Sequence, residues 1–229
     1  RYRIIGYNYT VNIPSLATTT TATALATRLR QEIDQGRWQA GELLRQEQLA
    51  SEFGVSRIPV REALAQLQSE GLLRIEHYRG ARVSWPTPAE IDEIFDLRHL
   101  VESDLIARAL PRHDERSCRE LARLQGQLED AQDRLGWIGG DIAFHEALYR
   151  PAERPRSLAL YRQLRAPIDR FSVQQLGPEA RKQGWAEEHR QLITAAASGD
   201  VPAALATLAA HLDATRMVVL AACADLGDG

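Results

Sequence analysis

The chain has 229 residues, enough for two domains each with its own core, and its 28 basic and 31 acidic side chains leave a formal charge of −3, which excludes a protein that is basic throughout. The charge is uneven: residues 1–85 carry 11 Arg against 8 acidic residues (+3) and the remainder stands at −6, so the first part suits an anionic partner better. The two cysteines, Cys118 and Cys223, are far apart and form no CxxC, which argues against a disulfide framework or a thiolate zinc site and for a reducing, cytoplasmic setting.

No apolar run approaches the roughly 18 residues of a membrane span, and residues 6–25 lack the apolar core of a secretion signal. No membrane partner is expected. Residues 1–21, ending in the run TTTTAT, show no stable apolar period and read as a disordered arm or a cloning remnant.

From Ala22 the pattern becomes helical: Leu25, Leu29 and Ile33 recur at helical spacing until Gly36. A short helix follows over Gln46 to Phe53, with Gly54 placed to end it. Ser56 is a suitable N-cap for the next helix, Pro59 falls in its first turn, and Val60, Ala63, Leu64 and Leu67 form its apolar face. Two extended pieces, around Leu72 to Glu76 and Ala81 to Trp85, then form a hairpin through His77, Tyr78, Arg79 and Gly80. Helices followed by a hairpin give a winged helix-turn-helix over 22–85.

Trp85-Pro86-Thr87-Pro88 interrupts regular structure and marks a linker at 86–88. The rest, 89–229, is helical by period and punctuation, with helices near 88–110, 114–134, 137–150, 155–176, 179–198 and 201–223. The fold class is mainly α: a winged helix-turn-helix joined to an all-α antiparallel bundle.

A helix-turn-helix lays its second helix in the major groove of DNA. Arg57 and Arg61, four apart on the face opposite Val60 and Leu64, suit bidentate contact with guanine or phosphate, and the hairpin adds His77, Arg79 and Arg82. The partner this implies is a double-stranded DNA operator.

In the second half, GDIAFHEAL (140–148) poses a separate question, because Asp141 and His145 share a helical face with Ile138 and Leu148. His189 lies on a face with Trp185 and Leu192, and His211 on one with Leu208 and Val218, on helices that the break at Gly199 makes antiparallel neighbours. Polar groups facing inward need a hydrogen bond, an ion pair or a metal. One Asp and three His would suit a divalent ion such as Zn, Ni, Mn or Fe, and the alternative is hydrogen-bonded core histidines.

The segment Leu49-Ala50, Phe53-Gly54-Val55-Ser56-Arg57, Pro59-Val60-Arg61-Glu62-Ala63-Leu64, Leu67, Gly71-Leu72-Leu73 and the hairpin Gly80 with Val83 resembles the GntR family of bacterial transcription regulators. Gly41-Glu42-Leu43 also fits, with Ala40 where the family usually has Pro, and Glu47 stands where several members have a basic residue. The resemblance implies that Ser56, Arg57, Arg61 and the wing touch DNA.

The helical half resembles the FCD domain of the FadR subgroup, through Asp141 to His145, Glu188-His189 and Gly199-Asp200 with His211-Leu212. That resemblance implies a metal held by Asp141, His145, His189 and His211, and places Arg98 near an effector pocket. The expectation is a homodimeric, ligand-responsive transcription regulator, in the repressor mode, sensing a small carboxylate, and not an enzyme. The rivals are a metal-dependent enzyme acting on a small organic acid and a DNA-binding protein whose bundle only dimerises. Arg98 and Glu102 would otherwise be a surface pair at i, i+4 spacing.

Overall fold

The structure is a computed structural model that describes residues 20–76, 79–176 and 182–224. The first helix, α1 (Thr21–Asp34), starts one residue before the apolar period because the Thr20 hydroxyl accepts from the Thr23 N–H at 3.1 Å. It turns Leu25, Ala26, Leu29 and Ile33 inward. The same face buries Glu32, whose carboxylate accepts from Trp38 Nε1 at 3.0 Å and from Arg28 at 2.8 Å, so the inward charge is satisfied.

A two-residue strand, β1 (Leu43–Leu44), precedes α2 (Gln46–Phe53), which ends at Gly54 with φ 64°. Helix α3 (Arg57–Ser69) packs Val60, Ala63, Leu64 and Leu67 against α1. Ser56 holds the N-cap position of α3 without a side-chain capping bond.

The wing is β2 (Leu73–Glu76) and β3 (Gly80–Val83), antiparallel, with Leu73 opposite Val83. β1 joins the other edge of β3, Leu43 opposite Arg82, giving the order β1-β3-β2. This third strand departs from the two-stranded hairpin expected. Gly80 is required there: its φ is 133°, and a Cβ would lie 2.1 Å from the Leu44 carbonyl oxygen.

Thr87 caps α4 (Pro88–Ala109) in a capping box with Glu90, and Pro88 takes the first helical position, so the extended stretch ends at Thr87 and not at Pro88. Helices α5 (Glu115–Glu129), α6 (Arg134–Tyr149), α7 (Pro155–Gln175), α8 (Lys182–Ser198) and α9 (Val201–Ala224) complete the bundle. α5 stops short of the expected residue 134 because Asp133 caps a new helix, accepting from the Gly136 N–H at 2.7 Å.

α4 packs on α9 and α7, α5 on α6 and α8, and α8 on α9. Phe95, Leu105, Phe144, Leu148, Leu192 and Leu208 lie at the centre of the shared core. By length and composition α9 is long and apolar enough to cross a membrane, contrary to the expectation that no apolar run approaches a span. Here it turns Ala204, Leu208, Leu212 and Val219 into the bundle core. The head touches the bundle where Arg170 of α7 donates to Asp34 of α1 at 2.9 Å.

Candidate metal centre and nucleic-acid interface

Three helices bring the predicted inward residues together. α6 supplies Asp141 and His145, α8 supplies His189, and α9 supplies His211, all of them buried. One ligand atom from each histidine lies within 4.8 Å of the other two. Oδ1 of Asp141 stands 3.4 Å from Nε2 of His189 and 3.8 Å from Nε2 of His145.

The hydrogen bonds around the rings set their tautomers. Nδ1 of His189 donates to Oε1 of Gln125 on α5 at 2.8 Å, and Nδ1 of His211 donates to Oε2 of Glu188 at 2.8 Å. Tyr149 gives its hydroxyl proton to Glu102 at 2.7 Å, which leaves its oxygen to accept from Nδ1 of His145 at 3.4 Å. Each ring therefore spends its N–H outward and turns an Nε2 lone pair inward, the arrangement of metal-ligating histidines.

Nε2 of His145 and of His189 is buried with no hydrogen-bond partner. Two such orphans side by side are costly unless another group satisfies them. Burial holds the His145 imidazolium well below its ordinary pKa and lowers His189 to about 3, so both rings are neutral at pH 7 and available as ligands. Neutral imidazoles and one carboxylate, with orphaned lone pairs facing each other, fit a borderline divalent cation.

Asp141 has a second partner that its spacing did not announce. Its Oδ2 accepts from Arg165 on α7, and Arg165 also donates to Asp169 at 2.8 Å and to the Tyr161 hydroxyl at 3.0 Å. Burial alone would raise the Asp141 carboxyl, but the charge of the adjacent Arg165 guanidinium outweighs it and keeps the group well below the usual carboxylate range. Arg98 is buried too: its Nε donates to Glu102 at 2.7 Å. The i, i+4 pair thus exists, inside the protein and not on its surface.

Arg98, Arg165, Asp141 and His211 line one cavity of about 40 Å³, with Trp137 and Trp185 among its walls. Those two indoles stack at 4.4 Å between ring centroids. Since one water needs roughly 10–15 Å³ by this measure, the space suits a ligand of very few heavy atoms.

In the head, Arg57, Arg61 and Arg79 are all exposed. Arg57 is paired with Glu47 at 2.7 Å, both side chains well into solvent. Gly80 sits in the wing as described, whereas His77 lies outside the described residues.

A winged helix-turn-helix head on an all-helical bundle with a cluster of three buried histidines defines a two-domain regulator architecture. The family model "Bacterial regulatory proteins, gntR family" matches residues 21–83, and that of the FCD domain matches residues 93–214. The chain belongs to the GntR family of regulators, with an FCD domain as its second part, a combination consistent with the FadR subgroup. The proteins of this family are DNA-binding transcription regulators and not enzymes.

Among its relatives, the gluconate operon transcriptional repressor of Bacillus licheniformis is 30% identical over 159 residues, 68% of this chain, and the match spans 65% of that repressor's length. A probable D-xylose utilization operon transcriptional repressor of Paenarthrobacter nicotinovorans is 27% identical over 202 residues, covering 87% of this chain and 88% of the relative. The crystal structure of a GntR regulator from Rhodococcus sp. RHA1 superposes with a TM-score of 0.72 at 25% identity, covering 87% of this chain and 97% of that one.

Proposed function

We propose that the protein is a ligand-responsive repressor that binds a DNA operator as a homodimer in the cytoplasm and senses a small carboxylate at a metal site in the bundle. The observation that carries the sensor half is the pair of orphaned Nε2 atoms on His145 and His189, buried beside Asp141 and His211. These four residues would hold a divalent ion of the Zn, Ni, Mn or Fe type, which when bound would supply a Lewis-acidic anchor for a carboxylate.

The chain's own residues supply the remaining recognition. Arg98 and Arg165 border the cavity with guanidinium donors suited to an anion, and the stacked Trp137 and Trp185 restrict its size. The relative named for a gluconate operon makes a sugar acid a natural candidate, whereas the one named for D-xylose points to a neutral sugar, and the cavity as it stands favours a shorter acid. Effector binding relieves repression only to the extent that it favours one arrangement of the two heads over another.

The test is operator release. DNA selected in vitro by the purified protein is titrated with monocarboxylates of two to six carbons, before and after metal removal by a chelator. Release that requires both an acid and the metal supports the proposal. Release by acid with no metal bound, or no acid response in a metal-loaded protein, refutes the sensor site.

A further inference from the structure

On α3 the core takes Val60, Ala63, Leu64 and Leu67, so residues 58, 61, 62 and 65, three and four apart, share the outward face. Ile58 opens that face in the first helical turn and is 68% exposed. No other large hydrophobic side chain of the head is exposed among the described residues. A single exposed aliphatic needs no explanation by itself. This one stands between Arg57 and Arg61, and it lines a groove between α3 and the wing with Gln46, Arg61, Ala65 and Gly80.

The major groove offers one apolar mark, the C5 methyl of thymine, and it distinguishes thymine from cytosine. Arg57 and Arg61 carry only hydrogen-bond donors and so address guanine or phosphate. The Ile58 side chain has neither donor nor acceptor, and in the groove it gains only by covering a methyl group. We infer that Ile58 is a specificity-determining residue that packs on the methyl of a thymine in each half-site, beside the base or phosphate contacted by Arg57 or Arg61. The inference rests on the operator-binding function proposed above and adds to it a base preference set by this chain's own side chain.

Deoxyuridine tests it, because it pairs as thymine does but lacks the methyl. An operator is selected with the full chain, each thymine of one half-site is replaced singly, and affinity is measured by fluorescence anisotropy at fixed salt. One replacement should weaken binding about fourfold, the factor that corresponds to the roughly 0.8 kcal/mol of one buried carbon. In Ile58→Ala, whose exposed site leaves the core untouched, the same replacement should have no effect. 5-Methylcytosine in place of cytosine at that step should recover part of the affinity in the wild type alone. Indifference of the wild type to every single replacement, or an unchanged penalty in Ile58→Ala, overturns the inference while leaving operator binding intact. Failure to select any DNA overturns both.

Discussion

Arg165 and His189 meet at the two oxygens of one carboxylate: the guanidinium holds Oδ2 of Asp141, and Nε2 of the imidazole stands 3.4 Å from Oδ1. The arginine is therefore the resident counter-charge of the candidate ligand set. A cation held by this set would share Asp141 with it.

Arg165→Met should leave Asp141 buried and Asp169 half-buried with their main positive partner removed, at a cost of about 3–5 kcal/mol. A divalent cation would then be the remaining counter-charge, so added zinc should raise the melting temperature of the variant more than that of the wild type. Differential scanning fluorimetry with and without zinc measures this. Equal zinc shifts in both proteins would remove Arg165 from the site's electrostatics.

His189→Ala and His211→Ala should each lower bound metal and thermal stability, because a ligand bound only by the folded form stabilises it by about 2.7 kcal/mol at a hundred times its Kd. His99→Ala is the control, since His99 pairs with Asp213 on the bundle exterior. His113 is no control, as its ring bonds the Leu148 carbonyl at 3.0 Å. Metal content is read by mass spectrometry; full occupancy in both His189→Ala and His211→Ala would disprove a shared site.

Acid should destabilise the metal-free protein. His145 and His189 are held below their ordinary value of 6.5, His189 at about 3, so the unfolded chain binds more protons than the folded one as pH falls below 6.5. Stability is complete above that pH and declines toward pH 3, by at most about 1.4 kcal/mol per pH unit for each histidine. Asp141, also depressed, adds to the loss below its unfolded value of 3.8. Urea melts between pH 4 and 8 check the slope, which should flatten in His145→Phe and His189→Phe.

Arg57→Ala and Arg61→Ala should weaken operator binding without unfolding the head, since both side chains are exposed. A lost base contact costs about 1–3 kcal/mol and relaxes specificity at one step, whereas a lost phosphate contact weakens all sequences and lowers the salt slope. Glu47→Gln separates the roles further: it frees Arg57 from its 2.7 Å partner and removes a negative charge near the duplex, so it should strengthen non-specific binding. Binding isotherms at several salt concentrations distinguish these outcomes.

The expected homodimer has candidate contact residues in Leu97 and Leu100 of α4 and Met217 of α9, all exposed. Leu100→Asp should shift sedimentation at micromolar concentration from dimer toward monomer and reduce affinity for a two-half-site operator more than for one half-site. A wild-type protein that sediments as a monomer would contradict the expectation.

Much of this was legible in the sequence because local signals agree with the tertiary outcome. The recurrence of Leu25, Leu29 and Ile33 marks α1, and Gly54, Pro88 and Gly199 mark helix limits. The strand Leu43–Leu44 was not legible, since two residues cannot display an alternation. Arg165 was missed for another reason. Arg-x3-Asp on a helix looks the same whether it faces water or the core, and only the approach of α6, bringing Asp141 to α7, turns it into a buried cluster. Arg98 with Glu102 has the same ambiguity, resolved by the Tyr149 hydroxyl that closes over the carboxylate. Gln125 carries no metal-ligand signature at all, and its part in orienting His189 emerges only when α5 meets α8.

The outward bonds from His145, His189 and His211 to Tyr149, Gln125 and Glu188 bear on how the proposed metal site would discriminate. Folding has already removed the rotational freedom of the rings, so an ion bound there would order little more, and the entropy lost on loading would be mainly its own. The same rigidity limits how far the nitrogens can move apart. In the proposed metal site, ionic radius would be sensed through mismatch with a nearly fixed frame: an ion that needs a wider ring of donors would strain three hydrogen bonds at once, while one of fitting size would enter without disturbing them.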